Sequence, residues 1–391
     1  GIIAGGYTPS ASVPSQAPSV GDSNVLQRVT IATTGNSVDH GDLTTVRRNR
    51  DGCADSSRAL FMSGYPTTAQ IDAITIMTDG NSFDFGDTTD ARYNTGALSD
   101  GIRGVAAGGV SPDPVNIIDY VVIQSTGTAK NFGDLTDRTD DAGGHASSTR
   151  GIYVLGNGAP HTSAQNIINY ITVASTGDAT DFGDSTANRA GAPSAVSNGT
   201  RGIFAGGEAP SLTNLIDYIT IAQTGNAIDF GDLSVIHSDG ARAQSPTRGI
   251  IAGGRTSPNP YTNVIEFITM STLGNGTDFG DLTVARNELA SDSNSTRGIF
   301  TGGSTPSDVN IMEYITIAST GNSTDFGDQS AATNSGRGSA SSTRFVFALG
   351  SSDKSIIEYV QIATQGDSVD FGDLTVSRSQ AAGVSNAHGG L

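Results

Sequence analysis

The sequence repeats itself, and the repeat leaves little freedom in what the chain can fold into. The tripeptide Phe-Gly-Asp ends at Asp87, Asp134, Asp184, Asp232, Asp281, Asp328 and Asp373, and a His40-Gly41-Asp42 variant precedes them, which makes eight copies. Successive aspartates lie 45, 47, 50, 48, 49, 47 and 45 residues apart. The unit therefore accounts for residues 1–391 as a single domain, with no linker or second domain left over.

One unit starts at Arg201-Gly202, reaches a glycine doublet at Gly206-Gly207, continues through a loop into the apolar stretch 214–221, turns at Thr224-Gly225-Asn226 and ends in 227–233. Short β-branched and aromatic runs bounded by Gly or Asn are strand signals, and the Gly-Asn pair predicts a hairpin turn with positive φ. No helix-period stretch intervenes. The segments before the next Arg-Gly, such as 191–197 and 338–342, are rich in Ala, Ser and Gly. They predict a fourth strand packed where space is tight. The 51 glycines and the absence of Trp fit the same turn-rich β composition.

Four strands and this period match a β-propeller blade better than a leucine-rich or hexapeptide solenoid, whose units are shorter. The expectation is all-β: a single eight-bladed propeller of four-stranded blades, its small-residue strands at the rim of a central channel. The chain begins in the Arg-Gly-Ile type of strand and ends in the small-residue type, so both ends are expected to complete one blade and hide their edges. Cys53 is the only cysteine, which excludes an intrachain disulfide and a cysteine zinc cluster.

Acidic residues number 39 against 21 basic ones, of which only Lys130 and Lys354 are lysines, and the formal charge is -18. A nucleic-acid partner is not expected, because phosphate binding needs surplus positive charge. No run of 18 apolar residues occurs and residues 1–6 lack a basic segment, so neither membrane insertion nor an intact signal peptide is expected. Residue 1 is Gly, and the start is read as processed, truncated or cut from a longer chain.

The doublets Gly5-Gly6, Gly108-Gly109, Gly206-Gly207, Gly253-Gly254 and Gly302-Gly303 each close a short apolar strand. An aromatic follows at Tyr120, Tyr170, Tyr218, Phe267, Tyr314 and Tyr359. An arginine stands five residues after the aspartate at Arg47, Arg92, Arg189, Arg286 and Arg378; it moves to Arg138 in one unit and gives way to His237 and Thr333 in two others. In these features the chain resembles the kelch family of β-propellers, with the kelch tryptophan replaced by Phe85, Phe132, Phe182, Phe230, Phe279, Phe326 and Phe371. Its blades are similar to those of repetitive kelch-like virion proteins of marine bacteriophages. That resemblance implies a virion structural role such as a tail fibre, or host attachment, with a virion or extracellular location.

Kelch-type copper oxidases use a cross-linked cysteine and tyrosine with two histidines, whereas His40, His145, His161, His237 and His388 fall in different units without ligand spacing. A sialidase-like centre needs a unique arginine cluster, and Arg58, Arg103, Arg150, Arg201, Arg248, Arg297 and Arg344 recur at one repeat position, before a glycine except where Ala59 and Phe345 stand. A residue required in every blade does the same structural work each time, here a ring of ion pairs or stacking contacts. The same argument covers Asp42, Asp87, Asp134, Asp184, Asp232, Asp281, Asp328 and Asp373, expected to accept backbone N–H bonds or pair the arginines. It also covers the acids before the aromatic, from Asp72 to Glu358. No cofactor is expected; Ca²⁺ on these carboxylates stays open, although no hard-cation loop spacing occurs. Acidic Asp51 and Asp55 beside Cys53 disfavour a reactive thiolate.

Variation between units follows a pattern. The Thr-Gly-Asn and Ser-Thr-Arg-Gly turns change little, while the loop after the doublet and the stretch after Phe-Gly-Asp change greatly. In an up-and-down blade these two connections share one face, and loops on a rigid scaffold are where recognition is placed. Tyr7, His161, Arg255, Asn259 and Tyr261 are the candidate ligand-binding residues, with no catalytic or metal set. The expected function is non-enzymatic, with the variable face contacting a host-surface glycan or another virion subunit. A self-assembling capsid-decoration or fibre subunit and a carbohydrate-active propeller enzyme are the alternatives.

Overall fold

A computed structural model of the 391-residue chain describes residues 2–8, 21–28, 38–47, 51–140, 142–146, 149–158, 163–189, 194–198, 200–208, 211–334, 337–348, 356–373 and 382–384. Among these, every regular element is a strand, and no helix is long and apolar enough to cross a membrane. The strands form eight antiparallel sheets, six of four strands and two of five.

Residues 96–139 show the pattern. Gly96–Ser99 forms one edge, Arg103–Ala107 and Val115–Val122 the centre, and Lys130–Thr139 the other edge. In chain order these are the first to fourth strands, and the order recurs at 51–92, 194–232, 241–281 and 337–373. The sheets of 143–189 and 290–333 add a two-residue strand, Asn157–Gly158 or Ser304–Thr305, beside the third. In the remaining sheet Ala382–Val384 pairs with Ile2–Thr8, Ile2 facing Val384, so the first and last described strands share one sheet. The chain divides into two units, residues 1–30, 37–184 and 374–391, and residues 31–36 with 185–373.

The second strand is a continuous apolar run because both of its faces are covered. Gly104, Val105, Ala106 and Ala107 are all buried, as in strands sandwiched between layers. The cores lie between consecutive sheets. Cys53, Leu60, Ile71 and Phe85 of one sheet pack with Ala106, Val121 and Ile123 of the next, and Leu98, Val105 and Phe132 pack with Tyr153, Ile171 and Val173 of the one after. The small-residue strand is where space is tightest: a Cβ on Gly96 would stand 2.4 Å from the Ala142 carbonyl oxygen. Cys53 belongs to this packing, 5% exposed, with its Sγ 2.5 Å from where a Gly104 Cβ would be.

The Phe-Gly-Asp segment is a β-bulge. Ile118 faces Gly133 and Asp119 faces Asn131, so Phe132 is the extra residue. The bulge turns Phe132 inward, where its ring meets Tyr120 edge to face at 5.7 Å. Gly133 takes φ +151°, and a Cβ there would lie 2.3 Å from the carbonyl oxygen of Gly177 in the following sheet. Glycine is required on both counts.

That close approach explains the Thr-Gly-Asn turn. Its glycine has the expected positive φ, +145° at Gly127, but the connection is no two-residue hairpin; it takes residues 123–129 between strands Val115–Val122 and Lys130–Thr139. The turn instead serves the previous sheet's outer edge: Gly127 N–H donates to the Phe85 carbonyl at 2.8 Å and Ala129 N–H to that of Asp87 at 2.7 Å. Asp134, Asp232, Asp281 and Asp328 each return a backbone N–H to a turn side chain, Asp178, Asn275, Asn322 or Asp367, at 3.1 Å. Edges that would otherwise invite foreign strands are thereby occupied.

Candidate functional site

The recurring charged residues divide into two constant devices. Arginines that open the second strand stack on the third-strand aromatic of their own sheet: Arg103 on Tyr120, Arg150 on Tyr170, Arg201 on Tyr218, Arg248 on Phe267, Arg297 on Tyr314 and Arg344 on Tyr359, 4.2 to 4.8 Å from the ring centroids. Arg58, whose sheet has Ala73 at that position, lies 5.5 Å from Phe83. Several also reach the end of the third strand of the following sheet, Arg103 donating to the Val173 carbonyl and Arg201 to that of Met270, both at 2.8 Å. These arginines stack on rings, while the buried ion pairs belong to other arginines.

The second device was not legible in the pairing proposed above. Arg47 pairs with Asp72, Arg92 with Asp119 at 2.9 Å, Arg189 with Asp217 at 2.6 Å and Arg286 with Glu313 at 2.6 Å. Each arginine follows a Phe-Gly-Asp or His-Gly-Asp segment, and each acid precedes the aromatic position of the following sheet. The same acids accept N–H bonds from the preceding sheet, Thr89 to Asp119 at 3.0 Å and Thr283 to Glu313 at 2.8 Å. The Gly-Asp aspartates contribute differently: Asp42, Asp87, Asp134 and Asp328 are exposed at the junctions, where Asp42, Asp134 and Asp328 donate their backbone N–H to a turn side chain and Asp87 accepts at its carbonyl. The carboxylate that caps the glycine is the one before the aromatic, with Gly86 N–H donating to Asp84 at 3.0 Å and Gly183 N–H to Asp181 at 2.9 Å. The Asp373 side chain lies outside the described residues. Burial pulls the guanidinium groups of Arg47, Arg92 and Arg286 below their ordinary range, and the adjoining carboxylate opposes it. Among the described residues no group of three His, Cys, Asp or Glu side chains is arranged to hold a metal ion.

Where the arginine is absent the clasp changes. At one junction Thr139 takes the arginine's position and Asn169 the acid's, and Asn169 instead bonds Thr136, accepting its N–H at 2.8 Å and donating to its hydroxyl at 2.9 Å. In another, His237 takes the arginine's position and Glu266 of the following sheet the acid's. Burial lowers the His237 imidazole to about 4, and burial also raises the Glu266 carboxyl, against an N–H bond from Ser234.

The variable connections meet as the repeat geometry predicts. The residue after the doublet, or after Leu155-Gly156 in its place, forms an isolated backbone bridge with the residue after the clasp position of the previous sheet: Val110 with Tyr93, Asn157 with Asp140, Arg255 with Ser238 and Ser304 with Asn287. The backbone frame is constant while its side chains range over aromatic, aliphatic, amide, acidic and basic. Arg255, 45% exposed, pairs with Glu208 of the preceding sheet and lies 3.9 Å from Asp239. Asn259 is exposed at the tip of the same loop and Tyr261 is half-buried at its base. Tyr7 lies in Ile2–Thr8 facing Asp22, its side chain outside the described residues, and His161 lies outside them altogether.

Nothing in the repeat pattern marks Glu208, Asp239, Tyr65 or Tyr93 as members of this face. Tyr65 follows Gly64 as Arg255 follows Gly254, but Ser63 in place of the first glycine hides the equivalence. A shallow depression of about 160 Å³ at the constant junctions is lined by Phe279, Tyr314, Thr316, Ser319 and Asn322, small beside the several hundred Å³ typical of ligand pockets.

No family model matches the chain, and no curated protein does. Among solved structures, one titled "Structure of YjhT" is similar over 70% of this chain and 96% of that one, at 11% identity and a TM-score of 0.46.

Proposed function

We propose that this chain is a closed, eight-bladed kelch-like β-propeller acting without catalysis, as a recognition or structural component of a virion or another extracellular particle. Its variable face contacts a surface glycan or a neighbouring subunit. The observation that carries this reading is the constant backbone bridge with exchanged side chains, from Tyr93–Val110 to Asn287–Ser304. A scaffold that fixes the backbone and frees the side chain suits recognition. Two further features support the architecture: the four-stranded sheet recurs in sequence phase, and Ile2 pairs with Val384. The non-catalytic reading rests on the consumption of recurring arginines and acids by stacking and clasps.

Binding of the labelled chain to intact bacterial cells and to extracted surface polysaccharide, with light scattering on the same sample, tests the proposal. Saturable binding that falls in an Arg255→Ala or Tyr261→Ala variant supports recognition. Ordered oligomers without any binding transfer the face to assembly, and turnover of a polysaccharide overturns the non-catalytic reading.

A further inference from the structure

Tyr65 and Tyr93 occupy the two exchangeable positions of one sheet. Their rings meet edge to face, 5.4 Å between centroids at an interplanar angle of 79°. They stand apart from the repeated aromatic pairs, which join a third-strand Tyr or Phe to the bulge Phe and carry an arginine on the ring. No repeat duty accounts for the pair, and it lies on the face where side chains vary.

The backbone beneath both rings is fixed. Gly64 N–H donates to the Arg92 carbonyl at 3.0 Å, and Tyr93 and Val110 exchange backbone bonds at 3.3 and 2.9 Å. Arg92 itself is buried in its clasp with Asp119. Asn94, half-buried, takes φ +55° and turns the chain just past Tyr93. Tyr65 is 40% exposed, and an edge-to-face contact occupies a single ring face of the pair. Exposed Pro66 and Thr67 border the rings on the same loop.

Aromatic rings with polar tips, held on a hydrogen-bonded backbone, recognise a ligand that is apolar on one face and polar around its rim. A pyranose ring is such a ligand: its axial C–H groups stack on an aromatic face while its hydroxyls meet the phenol, amide and hydroxyl groups at the edge. The formal charge of -18 disfavours polyanions, which selects uncharged sugars. We propose that Tyr65 and Tyr93 form a stacking platform for a pyranose ring of a neutral glycan. The proposal rests on the reading of this face as a recognition surface.

The test uses the full chain and purified neutral polysaccharides (a mannan, a galactan and a glucan), with an acidic polysaccharide and intact cells alongside. Titration calorimetry reads affinity, and tyrosine ring resonances read the site. A neutral glycan is expected to bind and shift the Tyr65 and Tyr93 resonances, with affinity falling about tenfold or more in Tyr65→Ala and Tyr93→Ala and far less in Tyr65→Phe. Circular dichroism and the thermal midpoint are expected to stay unchanged, since both residues lie outside the cores. Neutral-glycan binding that both alanine variants retain overturns the platform and leaves the recognition reading standing. Binding only to the acidic polysaccharide, or to cells but to none of the neutral polymers, overturns the assignment of the ligand. Binding to nothing, cells included, overturns the platform together with the recognition reading.

Discussion

Arg286 Nη2 and Glu313 Oε2 meet at 2.6 Å in the seam between consecutive sheets, and neither side chain is exposed. The pair binds the connection after one sheet's fourth strand to the third strand of the next, with Thr283 N–H and the Ser323 hydroxyl also donating to the acid. Removing one member of a buried pair strands the other charge, at a cost of about 3–5 kcal/mol. Arg286→Met is expected to lose that much, and Arg286→Met with Glu313→Gln to recover most of it. Denaturant midpoints of the two variants check this. The neutral Thr136–Asn169 bonds at the equivalent junction show that the seam accepts an uncharged version.

Glycines of the same junction are expected to differ in tolerance. Gly127 has φ +145° with open space where a Cβ would go, so Gly127→Ala meets backbone strain alone, about 1–3 kcal/mol. Gly86 has φ +141° and its Cβ would come within 2.5 Å of the Gly127 backbone. Gly86→Ala is expected to cost at least about 2 kcal/mol more, through overpacking of two backbones that cannot give way. Thermal unfolding of the two variants side by side decides.

His237 gives the chain an acid sensitivity of calculable sign. It is 3% exposed, its ring lies against Gly206 and Gly240, and neither ring nitrogen has a hydrogen-bond partner. Burial lowers its pKa from 6.5 to about 4. Between those values the folded chain binds fewer protons than the unfolded one, so the contribution is complete above pH 6.5 and falls as pH drops, by up to about 3 kcal/mol near pH 4. Glu266, raised by burial, acts with the opposite sign. The difference between the stability–pH profiles of the parent and His237→Gln therefore isolates the histidine, and a flat difference from pH 7 to 4 would refute its role.

The exposed Arg255–Glu208 pair is expected to matter little for stability. Both partners are nearly half exposed, 45% and 44%, where such pairs contribute under about 1 kcal/mol. A double-mutant cycle of Arg255→Ala and Glu208→Ala should return a coupling in that range and leave the unfolding midpoint nearly unmoved. Any change in cell or glycan binding by these variants is then a property of the face rather than of the fold.

The sequence alone determined the repeated unit, its four strands, their order and the tight packing of the small-residue strand, because period, Gly placement and β-branched runs are local properties of the chain. It also separated constant from variable connections, and so marked Arg255, Asn259 and Tyr261. It did not reveal which constant residues touch. The partners Arg47 and Asp72, Arg92 and Asp119, or Gly86 and Gly127 sit in different repeats, and a strict period makes every copy an equally good partner for every other. Only the face-to-face stacking of one sheet on the next selects the neighbouring copy. The bulge at Phe132 and the tyrosine pair at Tyr65 and Tyr93 were hidden for the same reason: bulge register and ring contact are set by distances across strands and loops, which a linear pattern does not encode.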